Sequence, residues 1–212
     1  MSCASFWSCP FRIMAIAYLV GSIPFGWLMG KLFFKEDIRQ AGSGNIGATN
    51  ALRRFGTVPG IIVLLLDMLK GFAVAWFAKE VFMPGSYWIP IAGALVIIGH
   101  MFPIWLNFKG GKGVATAAGV FIALTLWPVL IALATFLITV IISRYVSLGS
   151  ILAALALMVS SIVQQSLQTW DLPMLLFITL LVIMIIFKHI PNIKRLLAGH
   201  ENRLQFSRKG NR

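Results

Sequence analysis

What most limits the fold of this chain is how rarely a charge interrupts its apolar runs. Residues 11–34, 57–82, 88–108, 114–142, 148–164 and 172–187 are almost wholly apolar. A helix needs roughly 17–25 such residues to cross a bilayer. Only 11% of the 212 residues are charged, where a soluble domain carries about 25%. So few charges do not clothe a water-facing surface, and the runs are too many for a signal peptide alone. The expected fold is therefore an all-α polytopic membrane protein forming one domain, 1–212.

The number of spans turns on the run 114–142, where Trp127–Pro128 is expected to split it into two helices of about 14 residues each. Charge placement decides between six and seven spans. Lys and Arg total 18 against 6 Asp and Glu. With seven spans, the basic residues of 31–54, 109–112, 144 and 188–212 all fall on one side, leaving Arg12 and Lys79 on the other. With six, Arg144 and the basic tail change sides and the asymmetry blurs. The positive-inside rule favours about seven helices, with the N-terminus outside and the C-terminus cytoplasmic. Charges spread this thinly between apolar runs argue against a nucleic-acid partner. Cys3 and Cys9 form no metal-binding pattern and read as part of a fraying or membrane-facing end.

The polar, Gly-rich segments then share one face: 35–56, 107–116, 143–150 and 188–212. "GSGNIG" (42–47) matches the G-x-G-x-x-G of a dinucleotide-binding turn, with Asp67 at about the right distance. That reading needs a preceding strand and a βαβ unit, and here a membrane run precedes it. What remains is a Gly-rich turn entering a short helix, "ATNALRRF", that offers Ser43, Asn45, Asn50 and Arg53. In "KGGKG", Gly110, Gly111 and Gly113 are expected to expose backbone N–H groups beside Lys109 and Lys112, just before a helix N-terminus. That combination suits an anion, while a plain positive-inside turn is the competing reading.

Asp67 lies inside an apolar run, where an acid is functional by default. Lys70, three residues on, makes a structural ion pair the favoured reading over a catalytic acid. Arg144, beside Ser143 and Ser147, suits bidentate phosphate binding or a snorkelling charge. His100 reads as a structural cross-link between helices. His189 and Asn192 lie three apart in the last basic segment, and His189 is the best proton carrier on chemistry alone. Glu201 is expected to organise the surrounding Lys and Arg.

Taken together, "GSGNIGATN" with "LRRFG", "KGGKGVAT", "SRYVSLGS" and "HIPNIKRLLAGHE" resemble the bacterial integral-membrane glycerol-3-phosphate acyltransferases that use acyl-phosphate. "GSIPFGWL", "LLLDMLKG" and "GHMFP" fit as well, so the resemblance covers nearly the whole chain. It implies transfer of a fatty acyl group from acyl-phosphate to the 1-hydroxyl of glycerol 3-phosphate. It also implies a multi-pass protein of the bacterial cytoplasmic (inner) membrane with its active site facing the cytoplasm. By position it places Ser43 and Arg53 in the first essential motif. It puts Gly110, Gly111, Gly113 and Lys112 at a substrate phosphate, with Arg144 facing the same site. His189 and Asn192 match its active-site pair and Glu201 its structural acid. Ile190 and Pro191 stand between that pair, and Pro191 is expected to stiffen a loop.

The resulting expectation is direct attack by the glycerol hydroxyl on an already activated carbonyl. Arg53, Lys112, Arg144, Ser143 and Ser147 hold the substrates, Ser43 and Asn45 hydrogen-bond them, and the proton leaves through His189 or a substrate phosphate. No metal or cofactor is expected, and the protein is expected to be a monomer in contact with membrane lipid. The competing class is a small transporter or flippase for phosphorylated or lipid anions; against it, the polar groups lie at one face rather than at the midplane.

Overall fold

A computed structural model describes residues 10–166 and 172–204. Cys3, Cys9, Arg208, Lys209 and Arg212 lie outside the described residues. All regular structure among the described residues is helical. The chain divides into two compact units: 1–126 with 171–177, and 127–170 with 178–212.

The first unit holds α1 (Pro10–Gly21), α2 (Phe25–Phe33), α3 (Ala48–Phe55), α4 (Thr57–Val81), α5 (Trp88–Met101) and α6 (Val114–Leu124). Pro24 lies in the break between α1 and α2, which bend by 45° there; a proline before a helix cannot extend the one behind it. The helices approach closely where residues are small. A Cβ at Gly71 would overlap the Thr116 carbonyl, and one at Gly119 the Met68 carbonyl, so α4 and α6 meet backbone to backbone. Such contacts replace the hydrophobic drive that lipid removes. Lys79 donates to the Ala123 carbonyl (3.1 Å), and Tyr18 Oη to the Phe102 carbonyl (2.8 Å), so freed carbonyls near helix ends keep donors.

The second unit holds α7 (Leu126–Ser143) from its second residue, α8 (Val146–Ser166) and most of α9 (Leu172–Leu197). Ser150, Ser160 and Ser161 on α8 donate to carbonyls four residues back. That satisfies each hydroxyl inside its own helix, where water is scarce.

Among the described residues, five helical segments are long and apolar enough to cross a membrane, six if α1 and α2 form one bent span, and α6 is a further short apolar helix. Their outer faces carry large apolar side chains, such as Leu65, Leu69 and Trp76 on α4 and Ile138, Ile141 and Ile142 on α7. A surface of that kind is solvated by lipid.

Two expectations about segment boundaries are corrected. The break in 114–142 falls at Thr125, giving helices of 11 and 18 residues rather than two of similar length. Pro128 is the third residue of α7, in a first turn whose N–H groups need no intrahelical partner, so it starts a helix instead of splitting one. The segment from residue 188 is not a loop until after Leu197, because α9 runs on through Pro191. It ends in a Schellman motif: Gly199 at φ +72° donates to the Leu196 carbonyl and His200 to that of Arg195. Lys194 and Arg195 in the last turn favour that terminus.

Candidate functional site

The first polar segment is organised by a side chain rather than by its glycines. α3 spans the expected "ATNALRRF", and its third residue, Asn50, is only 2% exposed. Asn50 Oδ1 accepts from the Ser43 N–H (3.1 Å). Its Nδ2 lies within hydrogen-bond range of the carbonyls of Ile38 (3.0 Å), Ala41 (3.0 Å) and Asn45 (2.8 Å). One amide therefore folds residues 38–45 back onto α3 and leaves Ser43 exposed at the rim. Asn45 spends its side chain locally, Oδ1 accepting from the Gly47 N–H (2.8 Å) in an Asx turn before the helix.

Around this core, Asp37 binds Arg39 and the Trp27 indole, and Glu36 binds Arg54. The Arg39 guanidinium hydrogen-bonds the Asp37 carboxyl and, despite partial burial, holds it far below the carboxylate range. Arg53 is half-buried on α3.

The second segment differs from the expectation. The N–H groups of Gly110 and Gly111 point inward, donating to the carbonyls of Met101 (3.2 Å) and His100 (3.0 Å) at the end of α5. They are not displayed to a ligand. The glycines instead let the loop lie directly on α5: a Cβ at Gly111 would overlap the His100 ring. The anion-binding feature that survives is the start of α6. Gly113, at φ +81°, turns the chain into Val114 with no side-chain cap. The first N–H groups of α6 and the half-buried Lys112 stand together there.

Beneath this loop, Asp67 and Lys70 form the expected pair at 2.8 Å, both buried. His100 joins it, with Nδ1 3.3 Å from Asp67 Oδ1.

In the second unit, the turn after α7 and the tail after α9 are clamped together. Arg144 has φ +63°, and its carbonyl accepts from the Leu204 N–H (2.7 Å). Its side chain is exposed. Arg203 donates to Tyr145 Oη (3.0 Å) and stacks over that ring. Glu201 is the hub, accepting from Ser147 Oγ (2.9 Å), Asn192 Nδ2 (2.7 Å) and Arg195 Nε (2.7 Å). Burial pushes its carboxyl up, but these donors and the Arg195 charge outweigh burial and hold it below its ordinary value. Ser143 Oγ donates to the Thr139 carbonyl (2.7 Å) and accepts from the Tyr145 N–H (3.1 Å), so it serves the turn itself.

His189 is 1% exposed, and its Nδ1 lies 2.8 Å from the Ile185 carbonyl. A carbonyl only accepts, so Nδ1 carries the hydrogen and the basic lone pair of the neutral ring is on Nε2.

The expected residues thus gather into two groups: Ser43, Asn45, Arg53, Gly110, Gly111, Lys112 and Gly113 in one unit, and Ser143, Arg144, Ser147, His189, Asn192 and Glu201 in the other. Sequence reasoning treated Asn50 as one polar group among several and passed over Tyr145 and Arg195. Among the described residues no cluster of three His, Cys, Asp or Glu side chains is arranged to hold a metal ion.

Similarity to known proteins extends over most of the chain. The family model described as glycerol-3-phosphate acyltransferase matches residues 11–199. The glycerol-3-phosphate acyltransferase of Endomicrobium trichonymphae is 45% identical over 92% of this chain and 95% of its own length. That of Desulforamulus reducens is 46% identical over 87% of this chain and 90% of its own. The crystal structure of PlsY (YgiH), an integral membrane glycerol 3-phosphate acyltransferase, in its glycerol 3-phosphate form, is similar with TM-score 0.87 at 38% identity. The match covers 92% of this chain and 96% of that one. Its lysophosphatidic acid form is similar with TM-score 0.84.

Proposed function

This chain belongs to the glycerol-3-phosphate acyltransferase family, and from that premise we propose that it acylates glycerol 3-phosphate in the first step of phospholipid synthesis. The acyl donor in this reading is acyl-phosphate, the acceptor is the 1-hydroxyl, and the products are lysophosphatidic acid and phosphate. The observation that carries it is the similarity, at 38% identity along nearly the full chain, to an enzyme crystallised in glycerol 3-phosphate and lysophosphatidic acid forms. Those two molecules differ by one acyl group.

The chemistry of the residues supports a direct transfer. The glycerol hydroxyl adds to the acyl carbonyl, the carbonyl–phosphate bond breaks, and phosphate leaves with the bonding electrons. Phosphate is a good leaving group, so no covalent enzyme intermediate is needed. Lys112, Arg53, Arg144 and the N-terminus of α6 supply positive charge for the phosphates and for the charge that develops in transfer. Ser43 offers a hydroxyl at the rim of a loop that Asn50 holds rigid. The hydroxyl proton passes to His189 Nε2 or to a substrate phosphate oxygen. Asn192, tied to Glu201, fixes the face of α9 that carries His189.

In the same reading the protein is a monomer of the bacterial inner membrane. Its basic segments face the cytoplasm, as the positive-inside distribution demands, and its acyl chain is drawn from surrounding lipid. The test is phosphate release from palmitoyl-phosphate by purified protein in lipidic mesophase, with and without glycerol 3-phosphate. Glycerol 3-phosphate-dependent release is expected; its absence overturns the enzymatic reading and leaves transport of lipid anions.

A further inference from the structure

The acyl-transfer chemistry leaves the most heavily buried charges of the first unit without a task. Asp67 and Lys70 on α4 and His100 on α5 are 1%, 5% and 4% exposed. Lys70 Nζ lies 2.8 Å from Asp67 Oδ1 and 2.9 Å from His100 Nδ1, and donates to the Ile23 carbonyl at 2.9 Å. Ile23 stands in the break between α1 and α2, so one ammonium ties that break to α4 and α5. Taking such charges out of water is costly, and a lone ion pair is weak evidence of a stabilising purpose. An apolar pair of similar volume would hold two helices together at least as well.

What the cluster touches suggests its purpose. His100 is the penultimate residue of α5, directly under the Lys109–Gly113 loop. Its carbonyl accepts the Gly111 N–H, and its ring occupies the space where a side chain at 111 would stand. Nδ1 faces both Lys70 Nζ (2.9 Å) and Asp67 Oδ1 (3.3 Å), and Nε2 on the other side is the ring atom closest to where a Cβ at Gly111 would sit. The ring orientation is fixed from the α4 side, and the loop backbone rests on the opposite side of the same ring.

We infer that Asp67, Lys70 and His100 form the positioning element of the phosphate loop. Asp67 and Lys70 set the His100 ring, and the ring sets the height of the Gly110–Gly113 backbone. That height places Lys112 and the N-terminus of α6 for a phosphomonoester dianion. This rests on the reading of that loop as the phosphate-binding segment. None of the three touches substrate; all act through the loop. The glycine at 111 is then required because the ring needs its space, and not because its N–H faces a ligand.

The test is a cycle of His100→Ala, Gly111→Ala and the double variant in the full chain. Two readouts are used: hydrogen exchange at residues 109–113, and the KM for glycerol 3-phosphate in the phosphate-release assay. Each single variant is expected to speed exchange of the loop amides and to raise KM roughly tenfold or more, since small misplacements of binding groups are costly. In the double variant the new Cβ enters the space the ring has left, so KM and exchange recover towards wild type relative to Gly111→Ala alone. His100→Gln, which keeps a polar side chain for Lys70 and Asp67, is expected to fall nearer wild type than His100→Ala. Unchanged loop exchange in His100→Ala overturns the inference, as does strict additivity in the cycle. A change in kcat with KM unmoved also overturns it, since that is what a merely structural cluster would give. Wild-type protein that releases no phosphate overturns the catalytic reading, while the exchange cycle still judges the positioning role.

Discussion

Replacing Asn50 with alanine removes the amide that folds the first polar segment. Its four contacts, at 2.8–3.1 Å, are not equivalent. Ile38 is fully buried and its carbonyl keeps only the longer bond from the Ala41 N–H (3.3 Å), so losing the Asn50 amide there costs about 1 kcal/mol. The contacts to Ser43, Ala41 and Asn45 are partly buried and water replaces them in part, costing about 0.5 kcal/mol each. The sum, about 2–3 kcal/mol, corresponds to a shift of roughly 30- to 150-fold in the population of the ordered loop. Ile38 and Ile46 stay packed against Met29, Ala51 and Val63, so the loss appears locally, in the turn between them. Hydrogen exchange of residues 38–50 should rise while α4 and α5 stay protected, and phosphate-release turnover should fall in step through Ser43. Asn50→Asp keeps the shape and the acceptor for the Ser43 N–H, but sets a carboxylate against three carbonyl oxygens, so it should not rescue. Wild-type exchange of the Ser43 amide in Asn50→Ala would refute this account of the loop. Wild-type turnover with a melted loop would remove Ser43 from the reaction.

Further expectations concern the second unit. His189→Ala should lower kcat severely if Nε2 accepts the proton; a modest loss with raised KM instead identifies a substrate phosphate as the base. Ser143→Ala should leave KM unchanged and cost less than about 1 kcal/mol in thermal stability, because both hydrogen bonds of its hydroxyl are local. Glu201→Ala strands the donors of Ser147, Asn192 and Arg195 and should cost about 2–4 kcal/mol, read as a lower unfolding temperature in detergent. The folded-state pKa of Glu201 lies below its unfolded value, so its contribution is complete above about pH 4.3 and is lost as pH falls through the folded value. Acid titration followed by hydrogen exchange of residues 199–204 should show the tail loosening only below that range.

Local properties of the chain carried much of the fold. Hydropathy places the spans because lipid admits only segments whose backbone is satisfied internally, and that rule acts on each segment alone. The extent of α3 and the Asp67–Lys70 pair were legible for the same reason: one follows from a polar run closed by Gly56, the other from i, i+3 spacing. The resemblance of the polar motifs identified the family because their residue types and order survive without coordinates.

What the tertiary structure alone decided is where each polar atom finds its partner. Gly110 and Gly111 looked like displayed amides, yet their N–H groups are taken by the end of α5. Asn45 Oδ1 and the Ser143 hydroxyl, both expected at the substrates, also close turns of their own segments. Asn50 looked like one polar group among several, yet it holds the Ser43 loop; His100 is the expected cross-link between helices, and only the structure shows that it joins the buried ion pair of α4 to the loop at 109–113. Hydrogen bonds are short and exclusive. A sequence therefore states which donors and acceptors exist, and only packing states which of them remain for a substrate.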